Sequence, residues 1–170
     1  MRDVPIYIVS KGRHETRLTS RSLEEMGVDY FIVVEHQERD LYASVIDPHK
    51  VLVLDPRYQA EYDTFDDLGA TKSKGPGAAR NFAWDHSIAL GAKWHWVMDD
   101  NIRGFFRLNH NVKRKVNAEA LFLPMEDFVS RYVNLAMAGP QYWMFAPRKV
   151  KLPPFVMNTR IYSCNLIRND

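Results

Sequence analysis

Two aspartates and an asparagine, Asp99-Asp100-Asn101, follow directly on the apolar run Trp94-His95-Trp96-Val97-Met98. Adjacent carboxylates and an amide oxygen are the hard oxygen donors that Mg or Mn prefers, and they leave coordination positions for phosphate oxygens and water. Without a cation, carboxylates so close repel one another. Asp and Asn are also common turn residues, so the triplet alone does not separate a metal site from a solvated turn. A second candidate is Lys72-Ser73-Lys74-Gly75-Pro76-Gly77-Ala78-Ala79-Arg80-Asn81. Glycines allow close backbone approach, a helix start presents unpaired N–H groups, and Lys74 and Arg80 add positive charge, a combination suited to a diphosphate. The Gly-Lys-Ser/Thr tail of a Walker A loop is missing, and the plain alternative is a helix start with solvated lysines.

These groups need a frame, and the first hundred residues supply alternating strand-like and helix-like segments. Pro5 to Ser10 reads as a strand, Arg13 to Met26 as a helix with Leu18, Leu23 and Met26 on one face and Gly27 as its stop. Tyr30 to Val34 is apolar on both faces, as in an interior parallel strand. Glu38 to Val45 reads as a short helix using Leu41, Val45 and Ile46, and Val51 to Leu54 as a third strand closed by Asp55-Pro56. Arg57 to Lys74 shows little periodicity and exceeds the usual connection, which marks a functional or mobile loop. Gly75-Pro76-Gly77 opens a helix running to Gly91, and Trp94 to Met98 is the fourth strand. The pattern predicts an α/β fold, a Rossmann-type, mostly parallel sheet flanked by helices with a mixed C-terminal part.

After Asn101, Phe105 to Leu108 and Val112 to Val116 read as a hairpin around Asn109-His110-Asn111. Pro124 to Ala138 reads as a helix with Phe128, Tyr132 and Leu135 inward, and Gln141 to Ala146 and Arg160 to Ile167 as strands. In an open α/β sheet, ligands bind beyond the carboxyl ends of the strands. That rule adds Ser10-Lys11-Gly12-Arg13, Glu35-His36-Gln37 and Asp55 to the candidates.

A chain of 170 residues that is 46% hydrophobic has material for one substantial core, so a single domain is expected, residues 1–101 forming one half and 102–170 the other. Cys164 is the only cysteine, which leaves no disulfide framework or cysteine-based zinc site and fits a reducing, cytoplasmic setting. No apolar run approaches the roughly 20 residues of a membrane span, and no secretory leader is evident. The six histidines show no metal-ligand spacing; His95, between two tryptophans, reads as structural, and Cys164 as a buried inert thiol.

Charge divides the chain. Residues 1–100 carry 12 Lys and Arg against 17 Asp and Glu, while residues 101–170 carry 11 against 4. Arg103, Arg107, Lys113, Arg114 and Lys115 fall in one stretch without an acid, and Arg148, Lys149 and Lys151 lie near Tyr142, Trp143 and Phe145. Phosphate contacts need such charge, and aromatic rings stack bases that enzymes extrude from a duplex. A solvated face over a core of aromatics is the plain alternative.

Taken in order, Pro5-Ile6-Tyr7-Ile8-Val9-Ser10-Lys11-Gly12-Arg13, Gly75-Pro76-Gly77-Ala78-Ala79-Arg80-Asn81 and Trp96-Val97-Met98-Asp99-Asp100-Asn101 resemble the TET-associated glycosyltransferase family of phage genomes. The resemblance is close over residues 4 to 117 and loose beyond. It implies a GT-A-like fold, with residues 1–101 binding a nucleotide sugar, expected to be a UDP-sugar, and 102–170 on the acceptor side. It further implies Mn or Mg on the donor diphosphate and a hydroxymethylated pyrimidine in DNA as acceptor.

Carried over by position, Asp99 and Asp100 would contact ribose and metal, with Asn101 where the usual D-x-D pattern ends in Asp. Ser10, Lys11 and Arg13 would line the base and phosphate pocket, Glu35 the uracil or ribose, and Lys74, Gly75 and Arg80 the diphosphate. Arg107, Lys113, Arg114 and Lys115 are the candidate DNA contacts. No acidic residue lies between Asp127 and Asp170, so no general base is assigned, and the chain is expected to be truncated before it. Two alternatives remain at this point: a nucleotide- or DNA-binding module without catalysis, and a nucleotidyltransferase.

Overall fold

A computed structural model describes residues 3–64, 75–146 and 153–170. Its frame is a six-stranded sheet in the order β3-β2-β1-β4-β8-β7, with β1 Ile6–Val9, β2 Phe31–Val34, β3 Val51–Val53, β4 Trp94–Asp99, β7 Met137–Ala138 and β8 Cys164–Arg168. β1 to β4 run parallel, while β8 is antiparallel to both β4 and β7. The remaining elements are α1 Leu18–Glu25, α2 Arg39–Ala43, α3 Pro56–Glu61, α4 Gly77–Ala89, α5 Ala118–Ser130, short 3-10 turns at His36–Glu38 and Pro48–Lys50, and a separate hairpin of β5 Phe106–Asn109 and β6 Val112–Lys115.

Strand alternation sorts the apolar side chains into two layers. Ile6, Ile8, Ile32, Val34, Trp96 and Met98 face one side with Leu23 of α1, Tyr42 of α2 and Leu121, Phe122 and Val129 of α5. Tyr7, Val9, Val33 and Val97 face the other, against Ala83 of α4 and Leu54. The central strands are therefore apolar on both faces, which is what a sheet covered by helices on each side requires. Trp96 adds a directional link, its indole N–H donating to Glu126 of α5 at 2.8 Å.

Several elements differ from the sequence expectation for identifiable reasons. Arg13 to Arg17 does not join α1; Arg17 sits at φ 29°, outside helical space, so the helix starts at Leu18. Pro56, expected to close a strand, instead begins α3: Asp55 accepts from the Arg57 N–H as N-cap, and proline suits the first helical position. α5 starts at Ala118, where the Asn117 side chain accepts from Ala120 N at 3.0 Å, and carries Pro124 inside it. The helix expected over Pro124 to Ala138 therefore lies further toward the N-terminus, and the end of that range is β7. Gln141 to Ala146 is a turn rather than a strand, and Leu41 and Val45 are exposed while Tyr42 is buried.

Candidate functional site

The register of the parallel strands builds the site. Val9 is level with Val33 of β2 and Asp99 of β4. One residue further, Ser10 lies beside Asp100, and one beyond that, Lys11 meets Glu35 past the end of β2. The contacts follow. Ser10 Oγ donates to Asp100 Oδ2 at 2.7 Å, and Lys11 Nζ donates to Glu35 Oε1 at 2.7 Å.

Asp99 and Asp100 are divided between the faces of the sheet. Arg80, on the first turn of α4, reaches Asp99 Oδ1 with Nη2 at 2.5 Å. Arg13, in the turn after β1, reaches Asp100 Oδ1 with Nη1 at 2.8 Å. The Asp99 backbone is fixed from two directions: its N–H donates to Ser163 O at 2.8 Å, and its carbonyl accepts from Thr19 Oγ1 at 2.6 Å. Thr19 Oγ1 also accepts from Ile102 N at 2.8 Å, closing the turn that holds Asn101, whose side chain is exposed.

Behind Asp100 runs a directed chain. A carboxylate donates nothing, so the single Ser10 hydroxyl hydrogen goes to Asp100, and the 2.6 Å contact between Ser10 and Tyr42 must be made with the Tyr42 hydrogen. Tyr42 Oη accepts in turn from Arg13 N at 3.0 Å. Burial pushes the Tyr42 phenol up from its usual range, which keeps that hydrogen in place. Gly12, at φ +68°, makes the turn between Ser10 and Arg13 and donates its N–H to Glu38 Oε1 at 2.5 Å. The turn after β2 thus holds the turn after β1.

Glu35 accepts from three side-chain donors. Lys11, Gln37 at 2.5 Å and Gln59 of α3 at 3.0 Å all converge on it. The Lys11 ammonium, chiefly, holds its carboxyl below the usual range, with partial burial opposing. Gly75 is at φ +66°, just ahead of α4. A Cβ at Gly77 would stand 2.0 Å from the Tyr62 ring, so the close approach that glycine permits there is taken by a side chain of the protein itself. Lys74, expected on the diphosphate, lies outside the described residues, as do Arg148, Lys149 and Lys151.

No group of three or more His, Cys, Asp or Glu is gathered for a metal among the described residues. Asp99 and Asp100 each offer hard carboxylate oxygens, and Mg or Mn commonly takes one or two carboxylates and completes its shell with water and substrate phosphates. The donor set fits an ion of that kind brought together with a diphosphate.

The basic face is built by the predicted hairpin. His110 and Asn111 at φ 46° and 66° form its two-residue turn, a conformation Asn favours. Arg107 lies directly opposite Arg114, and Leu108 opposite Lys113. Lys113 stands 4.2 Å over the Trp143 ring and also donates to the Trp143 carbonyl, while Lys115 pairs with Glu25 of α1 at 2.8 Å. Trp143 in turn meets Phe106 edge-on.

Tyr42, Thr19 and Glu38 support the site without having been expected there. A signal existed for Thr19. The inward stripe of α1 is Thr19, Ser20, Ser22 and Leu23, small hydroxyls where an amphipathic helix should be apolar. His95 and Cys164 are buried, as expected, and burial and the nearby Asp99 charge push the thiol up.

Parallel strands with helices on both faces, an antiparallel strand beside the last of them, and charged groups gathered at the strand ends define a GT-A-like α/β protein. The model of the TET-Associated Glycosyltransferase family matches residues 4–170, so the chain belongs to that family and its activity is of glycosyltransferase type. The match extends through the part where the sequence motifs were weakest. No curated protein and no solved structure matches the chain. No described helix is long and apolar enough to cross a membrane.

Proposed function

We propose that the protein transfers a sugar from a nucleotide sugar, with a UDP-sugar as the expected donor, to a hydroxymethylated pyrimidine in DNA, with Mn or Mg at Asp99 and Asp100. The observation that carries this reading is the convergence of Ser10, Arg13 and Arg80 on the two aspartates, in a chain of a glycosyltransferase family. In sugar transfer the bond from the anomeric carbon to the phosphate oxygen breaks, and negative charge gathers on the departing diphosphate. A bound divalent cation would offset part of that charge. Arg13 and Arg80 would offset the rest with guanidinium hydrogen bonds to the phosphate oxygens. Glu35, already set to accept hydrogen bonds, is placed for ribose or base donors of the nucleoside.

The DNA side of the proposal is supported by the Arg107 and Arg114 pair. Like charges facing each other across a hairpin are unfavourable unless an anion joins them. Lys113 and Lys115 extend the same charge, though each already has a partner within the protein. The test is calorimetric titration of UDP with Mn and again with EDTA, followed by transfer assays on hydroxymethylated DNA. Metal-dependent UDP binding and a mass gain on the DNA are expected. Equal UDP affinity in EDTA removes the metal role of the aspartates, and a response to UTP with pyrophosphate release moves the protein to nucleotidyl transfer.

A further inference from the structure

We propose that Arg13 and Arg80 are placeholders, each covering one aspartate until a nucleoside diphosphate draws it away, so that divalent cation and diphosphate bind cooperatively. The inference rests on reading Asp99 and Asp100 as the donor site.

Each carboxylate is already neutralised from within the chain, Asp99 by Arg80 at 2.5 Å and Asp100 by Arg13 at 2.8 Å. A cation arriving alone meets two carboxylates and two guanidiniums, and its attraction to the first is largely cancelled by repulsion from the second. A diphosphate changes this balance. Its oxygens match the guanidinium fork and carry more charge than one carboxylate, so it competes for the arginines. Every guanidinium it takes uncovers an aspartate for the cation, whose open positions the same phosphate then fills.

The geometry allows the exchange without moving the backbone that carries the aspartates. Asp100 keeps the Ser10 hydroxyl on Oδ2 after Arg13 leaves Oδ1, and Asp99 keeps its backbone bonds to Ser163 and Thr19 after Arg80 leaves. The moving parts are the guanidiniums. The Arg13 side chain is about half exposed, at 48%, while its backbone N–H is pinned on Tyr42. Arg80 is rooted in α4.

Binding of Mn by the full chain, followed by electron paramagnetic resonance with and without UDP, tests the inference. In the wild type, UDP is expected to tighten Mn about tenfold or more, within the usual range of coupling between two ligands. Arg13→Ala and Arg80→Ala are each expected to bind Mn alone roughly fivefold tighter than wild type and to lose most of the UDP enhancement. Arg57→Ala serves as control, since Arg57 pairs with Asp55 at the end of β3 and should leave both affinities unchanged. If UDP tightens Mn in the wild type but the arginine variants bind Mn alone no better, the hand-over is wrong and the donor-site reading survives. Tighter Mn binding in Arg57→Ala as well means general charge, not placeholding, and also overturns it. If the wild type binds no UDP under any condition, the donor-site reading fails and the hand-over fails with it.

Discussion

At the strand ends, charges meet their opposites: Arg13 with Asp100, Arg80 with Asp99, Lys11 with Glu35. On the β5–β6 hairpin most do not. Arg107 faces Arg114, and among the described residues the ion pair made from the hairpin is that of Lys115 with Glu25. A self-neutralised cluster holds its groups in a fixed geometry and waits for a ligand that offers a better partner. An uncompensated cationic surface draws in any polyanion, with an affinity governed by salt. On the proposed function, the first region takes the small donor and the second the long, repetitively charged acceptor.

The largest expected effect separates them. Asp100→Ala should weaken Mn-dependent UDP binding by about 100-fold or more, as loss of an ion-coordinating carboxylate in a shared site does, and leave DNA affinity unchanged. Equal losses of both by calorimetry and filter binding would erase the distinction. Next, Arg107→Ala with Arg114→Ala should lower the slope of log affinity against log salt for DNA by about 2, since two phosphate contacts go. UDP affinity should not move. A DNA slope unchanged in the double variant removes the hairpin from the acceptor surface.

A smaller effect is expected at Tyr42→Phe, which deletes the hydrogen donated to Ser10 and the acceptor for Arg13 N. Buried groups left unpaired cost about 1–3 kcal/mol, so thermal unfolding should shift down and UDP affinity fall about tenfold, with the DNA salt slope intact. The last concerns pH and both regions alike. His95 is fully buried, its Nδ1 lies 2.6 Å from Asn169 Oδ1, and its Nε2 has no hydrogen-bond partner among the described residues. Burial, chiefly, lowers its affinity for a proton below the ordinary value of 6.5. The unfolded chain then takes up that proton first, so stability is full above about pH 6.5 and is lost as pH falls below it. His95→Gln should flatten that fall in a pH series of melting curves.

The strand ends could be read from the sequence because parallel strands flanked by helices are continuous apolar runs, and Asp99, Ser10, Glu35 and Asp55 each stop one. The partners of those residues could not. That Ser10 serves Asp100 depends on the register of β1 with β4, residues ninety positions apart, and nothing local encodes it. Tyr42 was hidden because a buried tyrosine whose hydroxyl is paired looks, in sequence, like any aromatic on a short helix. The hairpin was legible from Asn109-His110-Asn111, since its turn needs positive φ. α5 was displaced because Pro124 imitates a helix start.

The antiparallel course of β8 has a consequence for how such a protein changes over evolutionary time. The chain leaves β4 just after Asp99 and comes back beside that point at Ser163, whose carbonyl accepts the Asp99 N–H at 2.8 Å. The segment from residue 101 to residue 162 therefore starts and finishes at one point on the frame, as an insertion does. Lengthening a loop with fixed ends costs little, about 0.6 kcal/mol for each doubling. Loops within that segment are free to change in size while α5, whose Leu121, Phe122 and Val129 pack on the sheet, and β7, which pairs with β8, stay with β1, β2, β4 and their charged ends.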